Sequence, residues 1–174
     1  MRGENLTSNV EHPSRRIVVA LPLSYAEATA RYEALVPTAD LDSFAALVNW
    51  DDVVDLARRN APNGFMRYHQ IDMAGLLHGA GAPGSATQYL MGNHTIAARM
   101  FIHDPSVMLH APLRALIFDP GDGACGFAVD QPSLIFDSYR NAEISTVGTE
   151  LDQLVSRLIT MLGGAAPAEL AEGL

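Results

Sequence analysis

The stretch "LRALIFDPGDGACGFAVDQP", residues 113–132, decides the fold. Two apolar runs flank Pro120-Gly121-Asp122-Gly123, and the Asp-Gly step supplies the positive φ that a tight reversal needs. It reads as a β-hairpin. Toward the N-terminus, "RRIVVALPL" (15–23) is a second strand region, with an apolar run too continuous for a strand that has one wet face. A central place in the sheet is expected for it. "FMRYHQIDM" (65–73) alternates and carries Phe, Tyr and Ile, so it reads as a strand as well.

Helices fill the intervals. Ser24 and Glu27 form a capping box for "YAEATARYEALV", which Pro37 ends. "DLDSFAALVNWDDVVDLARRNAPNG" (40–64) reads as two short helices, the second capped by Asn49 with Asp51 and Asp52 in its first turn. "HGAGAPGSA" (78–86) has the composition of a flexible loop. Beyond the hairpin, Ile144, Val147, Leu151, Leu154, Val155, Leu158, Ile159 and Leu162 keep helical spacing up to Gly163-Gly164. This order of about four strands and several helices predicts an α+β fold, a mainly antiparallel sheet covered by helices on one face. The expected organisation is one domain over 15–163 between flexible tails at 1–14 and 164–174.

Composition narrows the function. At 174 residues, 48% apolar and 18% charged, the chain suits a single globular domain. A net charge of -9 leaves no basic stripe for phosphate, so no nucleic-acid partner is expected. There is one cysteine, Cys125, no secretory h-region in "MRGENLTSNVEHPSRR", and no apolar window of about 20 residues. A cytoplasmic protein with no membrane partner is therefore expected. The loop at 78–86 matches neither G-x-G-x-x-G nor a phosphate-binding turn.

The chemistry concentrates in "GNHTIAARMFIHDPSVMLHAPLR", 92–114, which holds three of the six histidines. Asn93 can cap a helix from 94 to about 103, where Pro105 forbids much continuation. Ile96, Ala97, Ala98, Met100, Phe101 and Ile102 sweep about two-thirds of its circumference, the pattern of a helix largely enclosed by protein. Thr95, Arg99 and His103 share the remaining arc. His94 falls within the apolar arc, so it is either packed with its nitrogens satisfied or lines a cavity. A cavity at that helix N-terminus could also receive an anionic group.

Other constellations are weaker. His103, Asp104 and His110 fit no standard zinc spacing, and no metal site is expected. No G-x-S-x-G elbow presents a serine nucleophile. Cys125, inside the hairpin's second strand, reads as a buried structural thiol. Arg114 begins an apolar strand, which calls for an acidic partner such as Asp72, Asp104 or Asp130.

The run "YLMGNHTIAARMFIHDPSVMLHAPLRALIFDPGDG", with "YHQID" at 68–72 and the capped helix after "ALPLS", resembles the bacterial domain of unknown function family 302. In that family a G-N-P or G-N-H turn opens a helix, and L-Y-A-P-L-R or L-P-L-R leads into a hairpin strand. The resemblance covers roughly 15–162 and is most specific over 92–119. It implies a small α+β domain that forms dimers, and no established biochemical role. His110 stands where the family pattern usually has tyrosine.

Three functions are weighed on these residues. The first is binding of a small, largely apolar molecule in a pocket where His94, Arg99, His103 and His110 orient it, with Met100, Asp104 and Arg114 as further ligand-binding candidates. The second is an enzyme of isomerase, lyase or cyclase type, with His110 as acid-base group, His94 as orienting donor and Arg99 or Arg114 holding an anionic group. A histidine-ligated haem belongs to this class, although no C-x-x-C-H motif is present and the sequence names no cofactor. The third is an interaction domain whose histidines merely pack. A homodimer is expected in each case.

Overall fold

The computed structural model describes residues 8–81 and 83–171. It runs β1 (Arg16–Leu21), α1 (Tyr25–Leu35), α2 (Leu41–Ala45), α3 (Trp50–Asn60), β2 (Met66–Asp72), α4 (Met73–Leu77) and β3 (Ser85–Gly92). Then follow α5 (His94–Phe101), β4 (Leu113–Asp119), β5 (Cys125–Asp130), α6 (Pro132–Asp137) and α7 (Ala142–Met161). Single 3-10 turns occur at His78–Ala80, Pro105–Leu109 and Ala168–Leu170. The five strands lie in the order β1-β5-β4-β3-β2, and every neighbouring pair is antiparallel. The fold is α+β.

The hairpin forms where its sequence places it. Ala115 pairs with Val129 and Phe118 with Gly126. Gly121 and Gly123 take φ of 103° and 83°, which an L side chain adopts only with strain. The Asp119 carboxylate closes the turn by accepting from both of their N–H groups, at 2.7 and 3.2 Å. The caps read from the sequence are present too: Ser24 with Glu27, Asn49 ahead of α3, and Asn93 ahead of α5.

The sheet has one covered face. Ile17, Val19, Tyr89, Met91, Ala115, Ile117, Phe127 and Val129 point to it and pack on Ala28 and Tyr32 of α1 and on Ile144, Val147, Leu151, Val155, Leu158 and Ile159 of α7. α6 lies against α7 so closely that a side chain at Gly148 would come within 3.1 Å of Phe136 and Ser133. A buried knot fixes this end: Asp152 accepts from the Ser133 N–H and the Gln131 amide, and the same amide lies 3.0 Å from the Glu169 carbonyl. The other face presents Arg16, Val18, Gln88, Arg114, Leu116, Phe118, Ala128 and Asp130 around a shallow depression.

Several expectations need correction. The sheet has five strands, because β3 begins inside the stretch read as a flexible loop; Ala82 of that stretch lies outside the described residues. Its alternation of Thr87, Tyr89 and Met91 inward against Gln88 and Leu90 outward is sound but carries little β-branched weight. β1 is an edge strand, not a central one, and it leaves Val18 55% exposed. The helix at 94 ends at Phe101 and buries only Met100, whereas Phe101 and Ile102 face outward. The short helices α4 and α6 were not anticipated. The segment after Gly163, expected as a tail, docks by burying Leu170 in the core. Residues 1–7 and 172–174 of the expected tails lie outside the described residues.

Candidate functional site

The N-terminus of α5 is built by its Gly-Asn-His turn. Asn93 accepts from the Thr95 N–H and hydroxyl, at 3.0 and 2.7 Å, and donates to the Gly64 carbonyl. Facing it, β2 carries an irregularity: Arg67 pairs with Met91 and His69 with Leu90, so Tyr68 is an extra residue on its strand. A bulge of this kind re-aims a side chain. The Tyr68 hydroxyl oxygen accepts the His94 backbone N–H at 3.0 Å and lies 2.9 Å from His94 Nδ1. His94 Nε2 is buried without a partner. The ring of Phe44, from α2, stands perpendicular to the imidazole with centroids 4.2 Å apart.

Beside this pair lies a cavity of about 210 Å³. Its walls include Tyr68, His94, Met100, Met108, Pro112, Phe136 and Leu151, drawn from β2, α5, the turn at 105–109, the start of β4, α6 and α7. The lining is overwhelmingly apolar. Burial holds the His94 pKa below the ordinary histidine value, so the imidazole is neutral at pH 7. Burial also pushes the Tyr68 phenol up, against the opposing bond from the His94 N–H. The site therefore has neutral walls and a neutral polar handle.

The residues expected to share one cavity are divided. His94 and Met100 line it. Arg99 points to the surface, where both guanidinium arms bond Glu150 at 2.6 and 2.9 Å. His103 is exposed beyond the end of α5. His110 and Asp104 border a different, wide groove with Ser106, Tyr139, Arg140 and His12. There the His110 ring meets Phe136 and Tyr139 edge-on, and Asp104 caps the turn at 105–109 through the Ser106 N–H. Burial, then the neighbouring His12, lowers the His110 pKa. The physical reason for the division is the early end of α5, after which Pro105–Leu109 carries His110 to the far side of Phe136. Arg114 lies on the open face of the sheet with solvent around it, and it forms none of the ion pairs among the described residues. It needs no acidic partner there.

Sequence reading missed Tyr68, Phe44, Phe136 and Leu151. Tyr68 stood inside a recognised strand, but nothing local announces a bulge. The others come from distant segments. Among the described residues, no group of three or more His, Cys, Asp or Glu side chains gathers as a metal site. No helix among them is long and apolar enough to cross a membrane.

A family model described as "Domain of unknown function DUF302" matches residues 43–162. The chain belongs to the DUF302 family. The match begins inside α2, so β1 and α1 precede it, a narrower span than the resemblance suggested. Among solved structures, an uncharacterized conserved DUF302 protein from Bacillus stearothermophilus is similar, with a TM-score of 0.63. At 11% identity it covers 84% of this chain and 97% of its own, a likeness of fold. No curated protein matches. Within the DUF302 span, the Gly-Asn-His turn forms one wall of the cavity and Pro112-Leu113 at the entry to β4 another.

Proposed function

We propose that this DUF302 protein binds a small, largely apolar molecule in the cavity beside His94. The observation that carries the reading is a pocket with an overwhelmingly apolar lining, in which Tyr68 and a neutral His94 are the ionisable side chains. Apolar cavities of about 150 Å³ take up benzene and stay dry without it. A volume of 210 Å³ suits a ligand of that order, below the range of about 300 Å³ upward typical of drug-sized ligands.

Thermal melting with toluene tests the proposal. A ligand that binds only the folded state at a hundred times its Kd adds about 2.7 kcal/mol, which raises Tm by several degrees in a chain of this size. Ala97→Leu, which fills the cavity from α5, should abolish the rise. No rise in the wild-type protein, or an equal one in the variant, sinks the reading.

A second reading is acid-base catalysis by His110. In its favour is the groove that His110 shares with Asp104, Tyr139 and Arg140. A substrate turned over in that groove should lose turnover or change its pH profile with His110→Tyr, at unchanged Tm. We also propose a cytoplasmic homodimer that covers the open face of the sheet. Exposed Val18 and half-exposed Leu116 supply apolar area there, and Arg16, Arg114 and Asp130 supply charges that a twofold copy can match. Light scattering at tens of micromolar should give twice the 18.7 kDa chain mass; the monomer mass contradicts it.

A further inference from the structure

The open face of the sheet carries a charge pattern that fits its own image. Ladder pairing sets its outward side chains in rows across β1, β5 and β4. In the first row Arg16 pairs with Asp130, and one step beyond the Ala115–Val129 pair Arg114 falls on the other side of Asp130. The next row is Val18, Ala128 and Leu116, and the last is Ala20, Gly126 and Phe118. Charge is therefore confined to one end, with an aspartate between two arginines, and the other rows are apolar. Arg16, Arg114 and Asp130 are all exposed, and none forms an ion pair among the described residues. Val18, 55% exposed, lines the same shallow depression as the half-buried Leu116 and Ala128.

Resting on the proposed homodimer, we infer that two copies pack face to face about a twofold axis running along the strands between β4 and β5. Arg114 of each copy then pairs with the partner subunit's Asp130. Such an axis keeps each row opposite itself and exchanges β4 with β5. Leu116 rests on the partner subunit's Ala128, a large side chain over a small one. The Phe118 ring lies across its own Gly126, where an added Cβ would come within 2.6 Å of it, so the two rings meet near the axis. Other axes fit worse. One along β5 would set Asp130 against its own copy, and one along β4 would do the same to Arg114. One across the strands would lay the charged row on the row of Phe118 and desolvate its charges without partners. One between β1 and β5 matches charges through Arg16 but leaves Leu116 and Phe118 uncovered. Packed sheets keep their strands within about 30° of each other, an offset that the long Arg114 side chain spans.

Charge reversals, alone and mixed, test this pairing. A dimer of Asp130→Arg chains would hold two arginine–arginine contacts, and a dimer of Arg114→Asp chains two carboxylate–carboxylate contacts. Juxtaposed like charges are strongly unfavourable, so each variant alone should show a dimer Kd raised at least about a hundredfold. Mixed in equal amounts, the two variants regain both opposite-charge contacts, and native mass spectrometry should show a heterodimer. Each chain's own row is the same alone as in the mixture, so the recovery reports contact between copies. The isosteric Asp130→Asn should weaken the dimer about tenfold, and no weakening there also overturns the pairing. If the wild-type protein is dimeric and the reversals leave it so, or the mixture stays monomeric, the pairing falls while the homodimer stands. If the wild-type protein is monomeric, both fall.

Discussion

His94 and His110 belong to one short stretch of chain, yet they face spaces of opposite kind. His94 borders an apolar cavity of about 210 Å³, with Tyr68 holding its Nδ1. His110 borders a broad groove of about 1280 Å³, edged by His12, Asp104, Ser106 and Arg140 and by exposed residues 8–11. In the groove a ligand keeps much of its water, and any one polar contact competes with solvent. In the cavity the lining is almost wholly apolar, so shape and apolar contact decide which molecule is held. The difference comes from what lies behind each ring. A helix N-terminus closed by strand, turn and two further helices stands behind His94, and the aromatic edges of Phe136 and Tyr139 stand behind His110.

The largest way to break this contrast is to truncate one wall of each space. Met100 is fully buried beside the cavity, and Met100→Ala should lower stability by about 2–5 kcal/mol in urea denaturation. His110→Ala, at the groove, should lose less than about 1 kcal/mol. Equal losses would show that the two spaces are not built differently. Next in size is Tyr68→Phe, which strips the partner from the His94 backbone N–H and from Nδ1 together. A loss of about 1–3 kcal/mol is expected, and an unchanged denaturation midpoint would mean those bonds do not hold the site.

Acidity probes both histidines. Each has its folded pKa held below the ordinary value of about 6.5, so below that pH the unfolded chain takes up protons that the folded chain refuses. Their contribution to stability is complete above about pH 6.5 and is lost as pH falls through the folded pKa values. Midpoints of urea unfolding should drop between pH 7.5 and 5.5, and His94→Leu should flatten part of that slope. A slope at His94→Leu equal to the wild type would remove His94 from the account. The smallest effect is expected from His110→Tyr, within about 0.5 kcal/mol in stability and without change in toluene binding at the cavity. Loss of toluene binding in that variant would join the two spaces into one site.

The hairpin, the long α7 and the capped helices were legible because their signals are local: Asp122-Gly123 at a turn, an unbroken helical stripe, Ser24 three residues before Glu27. β3 was obscured because its inward residues, Thr87, Tyr89 and Met91, follow a Gly- and Pro-rich stretch that dominates the reading. The continuous apolar run of β1 suggested burial on both faces, but Val18 points to a face that no helix among the described residues covers. At the site, the helical spacing of α5 did identify His94 and Met100 as apolar-arc residues, but Arg99 and His103, set on the other arc and expected at the pocket, lie at the surface. What spacing could not supply was the third dimension. Tyr68 reaches His94 through a bulge, and Phe136 separates His110 from the cavity through contacts far apart in sequence.

Carbon-13 labelling of the methionine methyl groups, followed during titration with toluene, tests the central claim most directly. Met100 and Met108 line the cavity, whereas Met73 and Met161 border other surfaces. The account predicts saturable shifts at Met100 and Met108 with Met73 and Met161 unmoved. Shifts confined to the other methionines, or none at Met100 and Met108, would contradict it.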